Sequence, residues 1–257
     1  MSNDGLNLDA LQKAIGENAP KSVVLDLVDS TNEYAKRMAI EGERETVLIV
    51  ANEQSAGRGR MGRSFYSPGR TGIYFSVLQT LDCPLGSAVT LTGAASVAVM
   101  RAIRRVTGIQ TEIKWVNDLY LNGKKVCGIL AEALSGLDRN SQQIILGIGI
   151  NLNTEVFPEE LITKAGALHA DGVTRAELIG AIWHELKRFL SDFEDRSWLE
   201  DYRAHSMVIG KAITWTRDGE SFCGVAVGIN RDGELEVKKD NGEKLTLRTG
   251  EISVRLN

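Results

Sequence analysis

Three cysteines and three histidines are all that this chain of 257 residues has of those metal-ligand types. Cys83, Cys127 and Cys223 are odd in number and far apart, which speaks against a disulfide framework and points to free thiols in a reducing compartment. His169, His184 and His205 show no metal-ligand spacing. No apolar run is long enough to span a bilayer and no signal-peptide pattern opens the chain, so a cytoplasmic protein with no membrane partner is expected. A surplus of positive charge is lacking too: the formal net charge is −4, where a general nucleic-acid binder would carry a basic domain. Internal repeats and low-complexity linkers are absent, and the length allows one large domain, alone or with a small one.

What the chain does have is a glycine-arginine stretch, Glu53 to Arg70 (EQSAGRGRMGRSFYSPGR). Gly57, Gly59 and Gly62 alternate with Arg58, Arg60 and Arg63, and Arg70 closes the run. Glycine lets a backbone approach a ligand closely, and arginine offers forked donors for phosphate or carboxylate. Such a composition has no apolar face to bury, so the loop is expected to stay mobile until an anion orders it. A lone GRG would read as a solvated basic loop. Here strand-like runs lead in (Thr46 to Ala51) and out (Gly72 to Leu78), which makes an anion-binding loop between core strands the better reading.

Around it the pattern alternates strand and helix. A short amphipathic piece (Leu6, Leu8, Leu11, Ile15) precedes a strand over Val23 to Val28. Ser30 and Glu33 have capping-box spacing before a helix that runs through Ile40. Ser87 to Val106 reads as a helix stopped by Arg104, Arg105 and Gly108. Gln110 to Trp115 is a strand, and Asn122-Gly123 joins Leu119–Leu121 to a strand over Lys125 to Ala133 as a hairpin. Another strand covers Gln143 to Asn151; residues 154–172 read as loop with short helical pieces. Thr174 and Glu177 cap a helix with Leu178, Ile182, Leu186, Phe189 and Phe193 on one face. After about His205, short strand-like runs (Lys211 to Thr216, Phe222 to Ile229, Glu234 to Lys238, Lys244 to Leu247 and Glu251 to Leu256) suggest a small β-barrel, with Asp218-Gly219, Asp232-Gly233 and Asn241-Gly242 as turns.

Lys114 to Gly128 (KWVNDLYLNGKKVCG) is the other unusual run. Asp118 can hold magnesium, since carboxylates and substrate phosphates are its usual ligands, and Lys125 can neutralise an anion opposite. Taken alone, an exposed hairpin with a surface salt bridge is an equal reading. Ser30, Thr31 and Asn32 are also ordinary helix-cap residues, Gln54 alone says nothing, and the glycines of Gly147-Ile148-Gly149-Ile150-Asn151 can serve packing only. Converging at neighbouring strand ends, these segments would set neutral hydrogen bonds against cationic groups. That arrangement suits a small polar organic acid beside a nucleotide.

The order DSTN, EQSAGRGRMGRSFYSP, KWVNDLYLNGKKVCGIL, GIGINLN resembles biotin–protein ligase (biotin–acetyl-CoA-carboxylase ligase) over roughly residues 22 to 155. The resemblance implies an enzyme in which biotin attacks the α-phosphate of ATP, with Mg2+, to give biotinyl-5′-adenylate. A lysine of a biotin carboxyl carrier protein, part of acetyl-CoA carboxylase or a related carboxylase, then takes the biotin. It implies that Ser30, Thr31, Asn32, Gln54, Arg58, Gly59, Arg60 and Lys125 bind biotin. Arg58, Arg60, Arg63, Asn117, Lys125 and Asn151 would bind ATP or the adenylate, Lys125, Arg60 and Asp118 would be catalytic, and Asp118 would hold the metal. Val116 stands where the family usually has proline. The chain reads as a single-function form, without the DNA-binding domain that some bacterial ligases carry, and so without a nucleic-acid partner.

The implied fold is α+β: a mixed, largely antiparallel sheet with helices on one face (class II synthetase-like) over residues 1–205, then an SH3-like barrel over 206–257. Lipoate–protein ligase, with the same fold, is the nearest rival, and a nucleic-acid binder using the Arg/Gly loop is the rival from another class. The carrier protein and a possible homodimer are left open by the sequence.

Overall fold

The structure, a computed structural model, describes residues 4–83, 87–134, 141–217, 219–248 and 252–254. Asp218 of one predicted turn, and Glu251, Arg255 and Leu256 of the last predicted strand, lie outside the described residues. A 7-stranded sheet holds β1 (Lys21–Val28), β2 (Val47–Gln54), β3 (Ile73–Asp82), β4 (Glu112–Lys114), β5 (Asp118–Leu121), β6 (Lys124–Leu134) and β7 (Ser141–Ile150). Its order is β1-β2-β3-β7-β6-β5-β4; β1 and β2 are parallel and the other neighbours antiparallel. A parallel pair needs a crossover, and α2 (Thr31–Ile40) supplies it.

Side chains alternate across this sheet. Leu48, Val50, Phe75 and Val77 face a large core shared with α1 (Leu8–Ile15), α3 (Ala88–Thr107), α4 (Arg175–Ser191) and α5 (Trp198–Ala204). Val47, Ile49, Leu78 and Ile145 face the other way, against Ala35 and Ala39 of α2. The expectation of helices on one face is therefore corrected for α2. Its small alanine stripe lets it lie close on the opposite face, and its N-terminus marks the edge of the site.

Several local readings hold. Gly108 ends α3 with φ 75, its N–H donating to Arg104 O. Thr174 and Glu177 form the capping box of α4, and Asn122 and Gly123 both take positive φ in the two-residue hairpin between β5 and β6. The Ser30–Glu33 capping box does not form: Ser30 is the N-cap of α2 without a side-chain bond. The Gln54 side chain takes the Thr31 N–H instead, and Glu33 pairs with Arg58. α5 carries no predicted counterpart; it is a short helix held by burying Trp198, Leu199 and Tyr202.

β8 (Ala212–Arg217), β9 (Glu220–Ile229), β10 (Leu235–Lys238), β11 (Lys244–Leu247) and β12 (Ile252–Val254) form the small antiparallel SH3-like sheet that the spacing of turns predicts. Among the described residues no helix is long and apolar enough to cross a membrane.

Candidate functional site

At the N-terminus of α2 the first helical N–H groups need partners. Thr31 N donates to Gln54 Oε1 at 2.9 Å, and Gln54 Nε2 donates to Ser67 Oγ at 2.9 Å. Ser76 Oγ, fully buried on β3, lies 2.7 Å from Thr31 Oγ1 and 2.6 Å from Asn32 Oδ1. Asn32 Nδ2 donates to Glu132 Oε2 at 2.7 Å. Thr31, Asn32 and Gln54 thus make a neutral, hydrogen-bonded wall, with Ser30 beside them, of a pocket of about 440 Å³. Ser76, Ser67 and Glu132 were not predicted. They sit on different strands and turns, and no local signal joins them.

The floor is made by what glycine omits. A Cβ on Gly147 would stand 2.1 Å from Asn32 Oδ1, and one on Gly149 would stand 2.6 Å from the Phe65 ring. The strand glycines are close-approach positions for the site. Phe65 is the apolar anchor that the loop's composition did not suggest. Its N–H donates to Gly57 O, and its ring meets Tyr74 edge-on at 6.4 Å. Between them the loop turns back on itself, with an Arg58–Ser64 bridge and Gly59 N donating to Arg63 O at 2.7 Å. Arg58, Gly59 and Arg60 face the pocket. Arg58 Nη1 is 2.7 Å from Glu33 Oε1, and Arg60 Nη1 donates to Asn117 Oδ1 at 3.3 Å. Arg70 is exposed and stands outside the pocket linings.

Lys125 reaches the same pocket by way of a bulge. Leu119 pairs with Cys127 but Tyr120 with Lys125, so Val126 is an extra residue in β6. The bulge brings the Lys125 amine to Gly128, where an added Cβ would be 3.0 Å from it, and 2.7 Å from Asp118 Oδ1. Cys127, two residues after Lys125, is fully buried, and burial pushes its thiol up, away from the reactive thiolate.

Phe65 and Lys125 also line a second cavity of about 1310 Å³, with Arg63, Lys114, Asp118, Asn151 and Phe157. Residues 154–172 close one side of it: Lys125 N donates to Lys164 O, Gly166 N to Lys125 O, and Leu168 N to Asn151 O. Asn151 is buried, with Nδ2 donating to Gly166 O at 2.9 Å and Oδ1 without a partner among the described residues. Asn117 bonds Ile129 through both its backbone O and its Nδ2, so it holds the hairpin and steadies Arg60. The peptide bond between Trp115 and Val116 is cis.

Among the described residues no group of three or more His, Cys, Asp or Glu stands together as a metal cage. Among the described residues, Asp118 is the one carboxylate lining the second cavity, and it faces Lys125. That donor set fits a magnesium ion that arrives on nucleotide phosphates and takes one protein carboxylate.

The "Biotin/lipoate A/B protein ligase family" matches residues 24–151, and the "Biotin protein ligase C terminal domain" matches residues 208–255. The bifunctional ligase/repressor BirA of Bacillus subtilis is 36% identical over 233 residues, covering 85% of this chain and 70% of that protein. The biotin–[acetyl-CoA-carboxylase] ligase of Mycobacterium tuberculosis is 30% identical over 217 residues, covering 80% and 79%. Among solved structures, the Aquifex aeolicus biotin protein ligase in complex with biotin and ATP superposes with a TM-score of 0.76 at 28% identity, over 92% of this chain and 99% of that one. The chain belongs to the biotin protein ligase family.

Proposed function

We propose that the protein activates biotin with ATP to biotinyl-5′-adenylate and transfers the biotin to a lysine of a biotin carboxyl carrier protein of a carboxylase. One observation carries the reading. A pocket with a neutral polar wall and a cationic rim shares Phe65 and Lys125 with a second, larger cavity. The first pocket suits the uncharged ureido ring, with Ser30, Thr31, Asn32 and Gln54 as partners. The second suits ATP. The buried, unpaired Asn151 Oδ1 is an acceptor for the adenine amine.

The chemistry then falls at the junction. A carboxylate must approach a polyphosphate, and Lys125, Arg58, Arg60 and Arg63 offset the repulsion and stabilise charge on the α-phosphate. Magnesium, when bound with ATP, neutralises phosphate charge, and Asp118 is the carboxylate placed to hold it; Asp118 also orients Lys125. The loop from Gly57 to Phe65 covers the mixed anhydride and excludes water. We divide the chain into a catalytic unit over 1–205 and a barrel over 206–257. The neutral wall favours biotin over lipoate, whose dithiolane offers no N–H donor.

The test is direct. With MgATP and biotin the protein should form biotinyl-adenylate and release pyrophosphate. Biotin should also raise the melting temperature while lipoate does not, because a ligand that binds only the native state stabilises it. Equal shifts with both acids would reject biotin as the substrate.

A further inference from the structure

The neutral wall has a direction, and one residue sets it. A carboxylate can only accept hydrogen bonds, so Glu132 Oε2, 2.7 Å from Asn32 Nδ2, fixes which end of the Asn32 amide it meets. Asn32 Oδ1 is then turned to Ser76, whose Oγ lies 2.6 Å away and has one proton to give. With that proton used, the 2.7 Å contact between Ser76 Oγ and Thr31 Oγ1 takes the Thr31 proton. On the far side, Thr31 N donates to Gln54 Oε1 at 2.9 Å, so the Gln54 amide nitrogen faces Ser67 Oγ. Ser67 in turn donates to Phe65 O at 3.0 Å.

Both ends of the chain of bonds therefore leave acceptors in the middle. Thr31 Oγ1 and Gln54 Oε1 lie 3.2 Å apart at the wall of the pocket. With the Thr31 proton turned to Ser76 it is not donated to Gln54, so an N–H placed between the two oxygens can donate to both, while a ligand without a donor there leaves two acceptors facing each other, Gln54 Oε1 keeping only its bond from Thr31 N. The packing leaves Asn32 little room to turn, since space for a side chain at Gly147 is taken by Asn32 Oδ1. Ser76 is fully buried, so water cannot supply a substitute proton.

We propose that Glu132 is a positioning residue for substrate choice: by accepting from Asn32 it orients the relay through Ser76, so that Thr31 and Gln54 present paired acceptors to a ureido N–H. This rests on the reading of the first pocket as the biotin site. Glu132 touches Asn32, and its effect reaches the substrate through the relay.

Glu132→Gln keeps the size of the side chain but can donate as well as accept, so the relay can run either way. The full chain, without ATP, is titrated by calorimetry with biotin and with an analogue methylated on the ureido nitrogens. Weakening one hydrogen-bonded contact should raise the biotin Kd about tenfold in Glu132→Gln. The preference for biotin over the methylated analogue should shrink by a similar factor. Ser76→Ala breaks the same relay one link further on and should shrink the preference in the same way, which keeps the test available if Glu132→Gln folds poorly. Wild-type preference in both variants would overturn the proposal, as would a loss of biotin affinity with the preference intact, since that marks a packing role. Wild-type protein that does not bind biotin would instead overturn the reading of the pocket, and the relay with it.

Discussion

Lys125 stands where the motif after Asn122-Gly123 predicts, yet the motif does not say why its amine reaches the pocket. A regular strand would send Lys125 and Gly128 to opposite faces; the extra residue Val126 brings them together. That bulge depends on the register with β5, which is not a local property of the run. With Lys125 removed, the pocket loses a cation at the junction of the two cavities, while Asp118 loses a partner that is partly exposed. Lys125→Ala should slow adenylate formation about a hundredfold or more and cost stability no more than about 1 kcal/mol. Pyrophosphate release and thermal melting separate the two effects; wild-type rates of release would make Lys125 a surface residue. Gly147 and Gly149 read in sequence as packing glycines, because their neighbours Asn32 and Phe65 are far off in the chain. Gly147→Ala must displace an amide held by both Glu132 and Ser76. It should cost about 1–3 kcal/mol of stability and weaken biotin binding, as calorimetry on the folded variant would show.

At the scale of elements, α3, α4 and most strands were legible because period, caps and turn residues agreed for each of them, whereas α5 was not. The misses were of another kind. α2 takes the opposite face because it is the crossover of a parallel pair, and its predicted capping box gives way to Gln54 from the neighbouring strand. The sequence reads the glycine-arginine stretch as an anion loop; its anchoring by Phe65 was not legible, since the ring packs where two distant strand glycines leave space. An anchored base with arginines beyond it suits a cover over a reactive anhydride. Arg60, braced by Asn117, should then matter more for holding the adenylate than for making it. One charge-assisted hydrogen bond contributes roughly 1.5–3 kcal/mol. Arg60→Gly should therefore release biotinyl-adenylate about tenfold faster or more, and freed adenylate would label lysines of unrelated proteins. Blotting a bystander protein for biotin checks this, and an unlabelled bystander with adenylate synthesis intact would show that the loop is no cover.

The whole molecule joins the two sheets at the motif that carries Asp118. Trp115 Nε1 donates to Gly233 O at 2.9 Å, in the turn between β9 and β10, and the bond is buried. Thr90 Oγ1 donates to Asp232 O in the same turn, Arg203 donates to Ile229 O, and Met207 N donates to Ile113 O on β4. Asn230 shapes the turn by accepting from Asp232 N and Glu234 N. The sequence suggested a separate small barrel; the contact with Trp115 was not legible, because nothing in a run of short strands says which turn meets the larger domain. Trp115 also lines a cavity with Lys114, Asp118, Arg60 and Lys125, so its ring stands between the barrel and the cavity proposed for the phosphates. Trp115 does not line the first pocket, whose walls lie on α2, β2, β6, β7 and the arginine loop, so a shift of the barrel should be felt by ATP before biotin. Trp115→Phe keeps a ring but removes the indole donor, leaving the Gly233 carbonyl without it in a buried place. The cost should be about 1–3 kcal/mol of stability. KM for ATP should rise several-fold, while the Kd for biotin measured without nucleotide stays at the wild-type value. Equal losses for both ligands would mean that Trp115 supports the catalytic unit as a whole, and no change in either would mean that the barrel's docking does not reach the site.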